Sequence, residues 1–135
     1  MTYNELKQNI RDLGFEEDAT MSEYSSIVIK ACNRAIETIY HTVLSRIESY
    51  FKFKDSEWEM PEMDVLSADT PDDYVLKLPD KIVFLLPLLA SYYIWLDDDE
   101  RKAVTYRNEY EDLKEQIFAE CMGGTRCRVV GGLYV

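Results

Sequence analysis

Glycine and proline are scarce in this chain, with five and four copies in 135 residues, and histidine occurs once. No P-loop, GxSxG, HExxH or Gly-rich turn after a strand is present, so the common phosphate-cradling, nucleophile-elbow and zinc-protease chemistries have no basis in the sequence. The single histidine, His41, falls within a helical pattern beside Tyr40 and has no nucleophile near it, which leaves a general base without partners. These absences predict a protein that is not an enzyme and takes no cofactor or metal. Cysteine is sparse as well. Cys32, Cys121 and Cys127 are odd in number and form no CxxC pair, which fits a reduced compartment with Cys32 and Cys121 as small apolar fillers. Basic residues are outnumbered, 15 against 26 acids, for a formal charge of -11. Such a surface repels phosphate backbones on average, so sequence-specific nucleic-acid binding is not expected. A membrane span is lacking too: the longest apolar run, Ile82 to Leu96, has 15 residues against the roughly 18 or more a span needs. The opening Met-Thr-Tyr-Asn-Glu has neither the basic stretch nor the apolar core of a signal peptide.

What is present is helical periodicity. The length is that of one domain, and a hydrophobic share of 47% is that of a globular protein. A first helix is predicted over about 2–13, with Thr2 and Glu5 at capping-box spacing, a stripe of Leu6, Ile10 and Leu13, and Gly14 placed to end it. A long second helix is predicted over 22–50, capped by Ser22, with Val28, Ala31, Ala35, Ile39, Val43 and Ile47 recurring at three- and four-residue steps. A third, over 80–96, is apolar nearly all round and should be kinked by Pro87. Leu85, Leu89, Tyr92 and Leu96 are predicted to face its neighbours. A fourth, over 98–121, carries the stripe Ala103, Tyr106, Tyr110, Leu113 and Ile117 and is expected to stop at Gly123-Gly124. The fold class is therefore mainly α, a four-helix bundle-like single domain with a long central helix.

Between helices, residues 55–73 hold eight acids and no base, with Pro61 and Pro71 as breakers, yet also Trp58, Met60 and Met63. This acidic excursion reads as a segment that docks on something and is mobile in the free protomer. Residues 73–78 read as a short strand, with room for one hairpin to the preceding loop. The tail, 125–135, reads as β-prone and mildly basic.

Two acidic or helical patterns have plainer explanations. Asp97 to Glu100, with Glu109 and Asp112, give D-x-x-E and E-x-x-D spacings similar to those of all-α nucleotide pyrophosphatases. In that family, however, the paired motifs face one another from neighbouring helices, and here they fall on one predicted helix. Acids also suit a helix start, where they meet the positive end of the dipole. The first two helices are not a DNA-reading pair, because Lys30, Arg34 and Arg46 are balanced by Glu23, Glu37 and Glu48.

The order of elements resembles a known family. A short helix precedes a long one containing Ala31-Cys32-Asn33-Arg34-Ala35-Ile36, and an irregular acidic middle follows. Then come Leu78-Pro79-Asp80, the apolar run Leu85 to Tyr93, the acids 97–100, and Tyr106-Arg107-Asn108-Glu109-Tyr110-Glu111. Over about 25–118 this resembles the head–tail connector (adaptor, or head-completion) proteins of tailed bacteriophages and prophages. The resemblance implies a helical protomer that joins a ring homo-oligomer between the portal and the tail-completion proteins of the virion, after synthesis in the host cytoplasm. An acidic protein-binding or DNA-mimic inhibitor module is the alternative. For the partner interface, the sequence nominates Trp58, Met60 and Met63 in the excursion and Arg126, Arg128, Val129, Val130, Leu133 and Tyr134 in the tail. The tail is expected to add a strand to a neighbour's Tyr74–Leu78 edge.

Overall fold

A computed structural model describes residues 1–16 and 18–130, with side chains described for 1–16 and 21–122. The chain is mainly helical and forms one small domain. Its helices are α1 (Tyr3–Gly14), α2 (Asp18–Glu23), α3 (Ser25–Ile39), α4 (Ser45–Lys54), α5 (Asp80–Val83), α6 (Leu85–Trp95) and α7 (Glu100–Val130), with a π-helical turn, Tyr40–Leu44, joining α3 to α4.

The capping box forms at α1. Thr2 Oγ1 accepts from Glu5 N, and Glu5 Oε1 accepts from Thr2 N, each at 3.1 Å. Leu6 and Ile10 are buried on the inner face of this helix. The predicted second helix is real in span but divided. Ser22 lies inside α2 rather than capping α3, and Tyr24 occupies the junction without a side-chain cap. The turn there is set by aromatic packing, with Tyr24 5.4 Å from Phe15 and 5.9 Å from Trp95 between ring centroids.

The π turn has a reason legible in hindsight. From Ala31 through Ala35, Ile39 and Val43 to Ile47, the apolar residues recur at four-residue steps. In an α-helix each such step overshoots a turn by about 40°, so four of them swing the stripe by about 160°. A locally wider turn winds it back, and all five of these residues are buried. Thr42 Oγ1 donates to Thr38 O at 2.6 Å, and Ser45 Oγ donates to His41 O, so hydroxyls serve carbonyls around the irregular turn.

The predicted third helix is also broken, at Phe84. Pro87 has no N–H for Val83 O and its ring crowds that carbonyl, which places the interruption directly after Val83, three residues upstream of the proline. Downstream, α6 packs against α1, α3 and α7, and Leu85, Leu86, Leu89, Ala90 and Ile94 are buried. Leu96, predicted to face the core, is 36% exposed, and Tyr92 is half-buried.

Asp99 caps α7: Lys102 N donates to its Oδ1 at 3.1 Å and Ala103 N to its carbonyl at 2.9 Å. The helix does not stop at the glycine pair but continues to Val130. Glycine costs about 1 kcal/mol relative to alanine in a helix interior, a penalty that weakens a helix without ending it as proline does. The β-prone reading of Arg126, Arg128, Val129 and Val130 is thereby corrected, because their backbone is helical. Leu133 and Tyr134 lie outside the described residues.

Among the described residues no strand or hairpin forms. Residues 74–76 are extended, but they meet the N-terminus instead of the preceding loop. Thr2 and Val75 form an isolated antiparallel bridge, Tyr3 N donates to Tyr74 O at 2.8 Å, and Leu76 N donates to Met1 O at 2.9 Å. Leu76 and Leu78 point inward while Val75 and Lys77 stay exposed, the period-two pattern that had suggested a strand.

Candidate interaction surface

The acidic excursion has no regular structure between Lys54 and Asp80, yet it is tied down along its length. At its start, Trp58 stacks on Phe51 of α4, with centroids 5.0 Å apart and rings 18° from parallel. Tyr40 of the π turn donates to Pro61 O at 2.8 Å. In α3, Asn33 acts as a substitute strand: its Nδ2 donates to Leu66 O at 2.9 Å, and its Oδ1 accepts from Leu66 N at 2.7 Å. Leu66 itself is buried.

Asp64 is the most buried acid of the excursion, 5% exposed. Its Oδ2 accepts from Lys77 N at 2.7 Å, and its Oδ1 accepts from the Tyr74 hydroxyl. The bond to this carboxylate pushes the Tyr74 phenol up to about 12, because ionising it would set two anions side by side. Lys7 of α1 reaches Asp72 at 2.7 Å and closes the far end of the segment. The excursion therefore packs on its own protomer, with contacts at Trp58, Asp64 and Leu66 that oppose the expected mobility. Acid repulsion is offset there by specific donors.

Of the residues nominated as an interface, Trp58 and Met60 pack against the core of their own chain. Met63 stands exposed, joined by Val65 at 78% and Val75 at 62% exposure. Asp64 bridges these positions, since its neighbours in sequence are Met63 and Val65 and its hydrogen bonds run to Tyr74 and Lys77. Met63, Val65 and Val75 are thus exposed apolar side chains on two segments that Asp64 ties together, in a largely acidic surrounding where Lys77 pairs with Glu62. The Tyr74–Leu78 edge expected to receive a neighbour's strand is already engaged, by Met1 and Tyr3 on one side and by Asp64 at Lys77 N.

Several basic side chains lie against aromatic rings of the protein. Arg34 lies 4.1 Å from the Tyr93 ring centroid, Arg46 lies 4.5 Å from Phe118, and Lys102 lies 3.8 Å from Trp95. Lys81 pairs with Glu120. Lys102 also donates to Gly14 O at 2.5 Å, and Tyr106 donates to Leu13 O, so α7 supplies the partners for the last carbonyls of α1.

Asp97, Asp98, Asp99, Glu100, Glu109 and Asp112 are all exposed. Asp98 accepts from Tyr24 and Asp99 serves as the α7 cap. Among the described residues no three His, Cys, Asp or Glu side chains converge as a metal site. His41 is exposed on the π turn, its ring edge-on to Tyr40. Cys32 is fully buried, and burial pushes its thiol up to about 12. A groove of about 540 Å³ between α1, α3 and the excursion is lined in part by Lys7, Arg11, Ser25, Val28 and Asp72, and the Lys7–Asp72 pair forms part of its wall. No helix among the described residues is long and apolar enough to cross a membrane.

Asn33, Tyr40 and Tyr74 were not singled out from sequence as functional. The available signal was Asn33 itself, an amide beside the apolar positions Cys32 and Ile36, where it weakens the helix unless it serves another segment. No protein-family profile, characterised protein or solved structure matches the chain.

Proposed function

We propose that this chain is the protomer of a head–tail connector of a tailed bacteriophage or prophage, a non-enzymatic virion component that assembles as a ring between portal and tail. The observation that carries the reading is the order of elements: a short helix, a long helix bearing Asn33, an acidic middle, the Leu78-Pro79-Asp80 step, an apolar helix, an acidic turn and a tyrosine-rich helix. The folded chain is consistent with it. The Leu78-Pro79-Asp80 step opens α5, the apolar run forms the centrally packed α6, the acidic turn caps α7, and Tyr106 and Tyr110 are buried on the inner face of α7.

The outward acids suit such a place, because a negative wall repels the DNA that passes it. Acids outnumber bases 26 to 15, so the charge of such a wall is only partly compensated. Portal and tail-completion proteins are the partners in this reading. The same outward acids favour the alternative, an acidic inhibitor that imitates nucleic acid.

Deleting the gene from the phage or prophage that carries it separates the two. The connector reading expects DNA-filled heads without tails, restored to tailed particles by the gene supplied in trans. Normal tailed particles after deletion would overturn it, and relief of inhibition of a DNA-binding protein would favour the alternative.

A further inference from the structure

We infer that the exposed strip formed by Met63, Val65 and Val75 is the docking site for the C-terminal segment, residues 126–135, of a second copy of this chain. This rests on the self-assembly in the connector reading and names the surfaces that meet.

Three observations carry it. The strip is preordered, because Asn33 and Asp64 fix the backbone on either side of Val65. Its occupant therefore meets a surface whose ordering entropy has already been spent, which favours binding. Residues 55–76 around the strip hold eight acids and no base, and the adjoining Lys77 and Lys7 are each paired to one of those acids, Glu62 and Asp72, whereas residues 121–135 contain Arg126 and Arg128 and no acid. Complementary charge of this kind sets register and orientation. The tail further offers Val129, Val130, Leu133 and Tyr134 as the apolar counterpart.

The third observation distinguishes a second copy from the chain's own tail. Helix α7 continues to Val130, ten residues past the Glu120 that pairs with Lys81. That carries the backbone about 15 Å beyond the pair. The five residues that follow span at most about 17 Å when fully extended. Phe118 of α7 lies under Arg46, whereas Leu66 beside the strip is held by Asn33, further back along α3, so the end of the chain would reach its own strip only by doubling back along α7, while a neighbouring protomer receives it without that reversal. Such a contact is heterologous, one surface meeting a different one, and contacts of this type close into a ring where the rotation between copies closes. A single contact of this size is weak, and ring closure makes it effective through effective concentration.

The test compares amide spectra of the full-length protein at low and high concentration with sedimentation velocity on the same samples. Two variants serve beside the wild type, Val65→Ser with Val75→Ser, and Arg126→Glu with Arg128→Glu. All four side chains are changed without touching the core residues described above, and circular dichroism confirms that the variants fold. The expected result is that the Met63, Val65 and Val75 amides shift as concentration rises, and that each double variant weakens self-association by about tenfold or more. Shifts independent of concentration would assign the strip to the chain's own tail and overturn the proposal. So would association that leaves the strip silent, association unchanged in both variants, or none at the highest concentration reached. Rings that form without the strip would overturn this contact alone and leave the connector reading standing. Association through the strip by a protein whose gene proves dispensable for tails would support the contact and end that reading.

Discussion

A methyl group at Gly14 would collide with the indole nitrogen of Trp95, so this glycine is required by close approach and not by backbone conformation. No described glycine has positive φ, and α1 ends at Gly14 with Phe15 extended. In an open helix Gly→Ala gains stability. Here Gly14→Ala is expected to cost about 1–3 kcal/mol, the range for overpacking a filled site. Urea unfolding followed by circular dichroism measures it, and a gain in stability would show that Trp95 yields readily. Cys32 and Tyr74 predict a pH dependence. Burial raises the Cys32 thiol from 9.0 to about 12, and the Asp64 bond raises the Tyr74 phenol from 10.0 to about 12. Both groups hold their protons more tightly when folded, so their contribution is fully present below the unfolded values and is lost as pH rises through about 12. The denaturant midpoint should fall between pH 9 and 12, and Cys32→Ala should flatten the early part of that fall. The sequence showed Cys32 as an apolar filler because its helical phase was right. It could not show Gly14 against Trp95, since that contact joins residues 81 apart in the chain and depends on how α1 and α6 pack.

At the scale of elements, the helices were legible and their interruptions were not. Periodicity located the helices and their buried stripes, and capping chemistry located the start at Thr2 and put the last helix's start among the acids 97–100, where Asp99 is the cap. The breaks at Tyr24, Tyr40–Leu44 and Phe84 answer to aromatic packing, stripe phase and Pro87, and each needs a partner surface to fix its position. Periodicity also overreached at Leu96, which continues the apolar run past the end of α6 and emerges toward solvent. Leu89→Ala is expected to destabilise by about 2–5 kcal/mol as a core truncation, whereas Leu96→Ala should stay within about 0.5 kcal/mol as an exposed change. Equal losses in chemical denaturation would mean that α6 is not the centre of the core. The excursion yields a sharper expectation. Removing the Asn33 amide leaves Leu66 N–H and C=O without their partners, so Asn33→Ala should cost about 1–3 kcal/mol. Hydrogen exchange of the Leu66 amide should be slow in the wild type and fast in the variant. Fast exchange in both would restore the picture of a mobile acidic loop. Composition alone pointed to mobility because it counts charges and is blind to a single amide presented from a neighbouring helix.

For the molecule as a whole, both signs of charge reach the surface and the acids dominate it. Arg34, Arg46 and Lys102 lie over Tyr93, Phe118 and Trp95, while carboxylates other than Asp64 mostly face outward. A chain with a formal charge of -11 resists close association with copies of itself unless specific contacts oppose the repulsion. The acidic excursion and the acid-free C-terminal segment offer such a contact, and the order of elements suggests where in a particle it is made. If the connector reading proposed above holds, the gene lies in a phage or prophage, and the most direct measurement is a reconstruction of the neck of its particles by electron cryomicroscopy. The account predicts a closed ring of this fold between portal and tail, with α6 inside each protomer and the 63–75 region at the contact between neighbours. A complete neck whose density is fully accounted for by other proteins would contradict it.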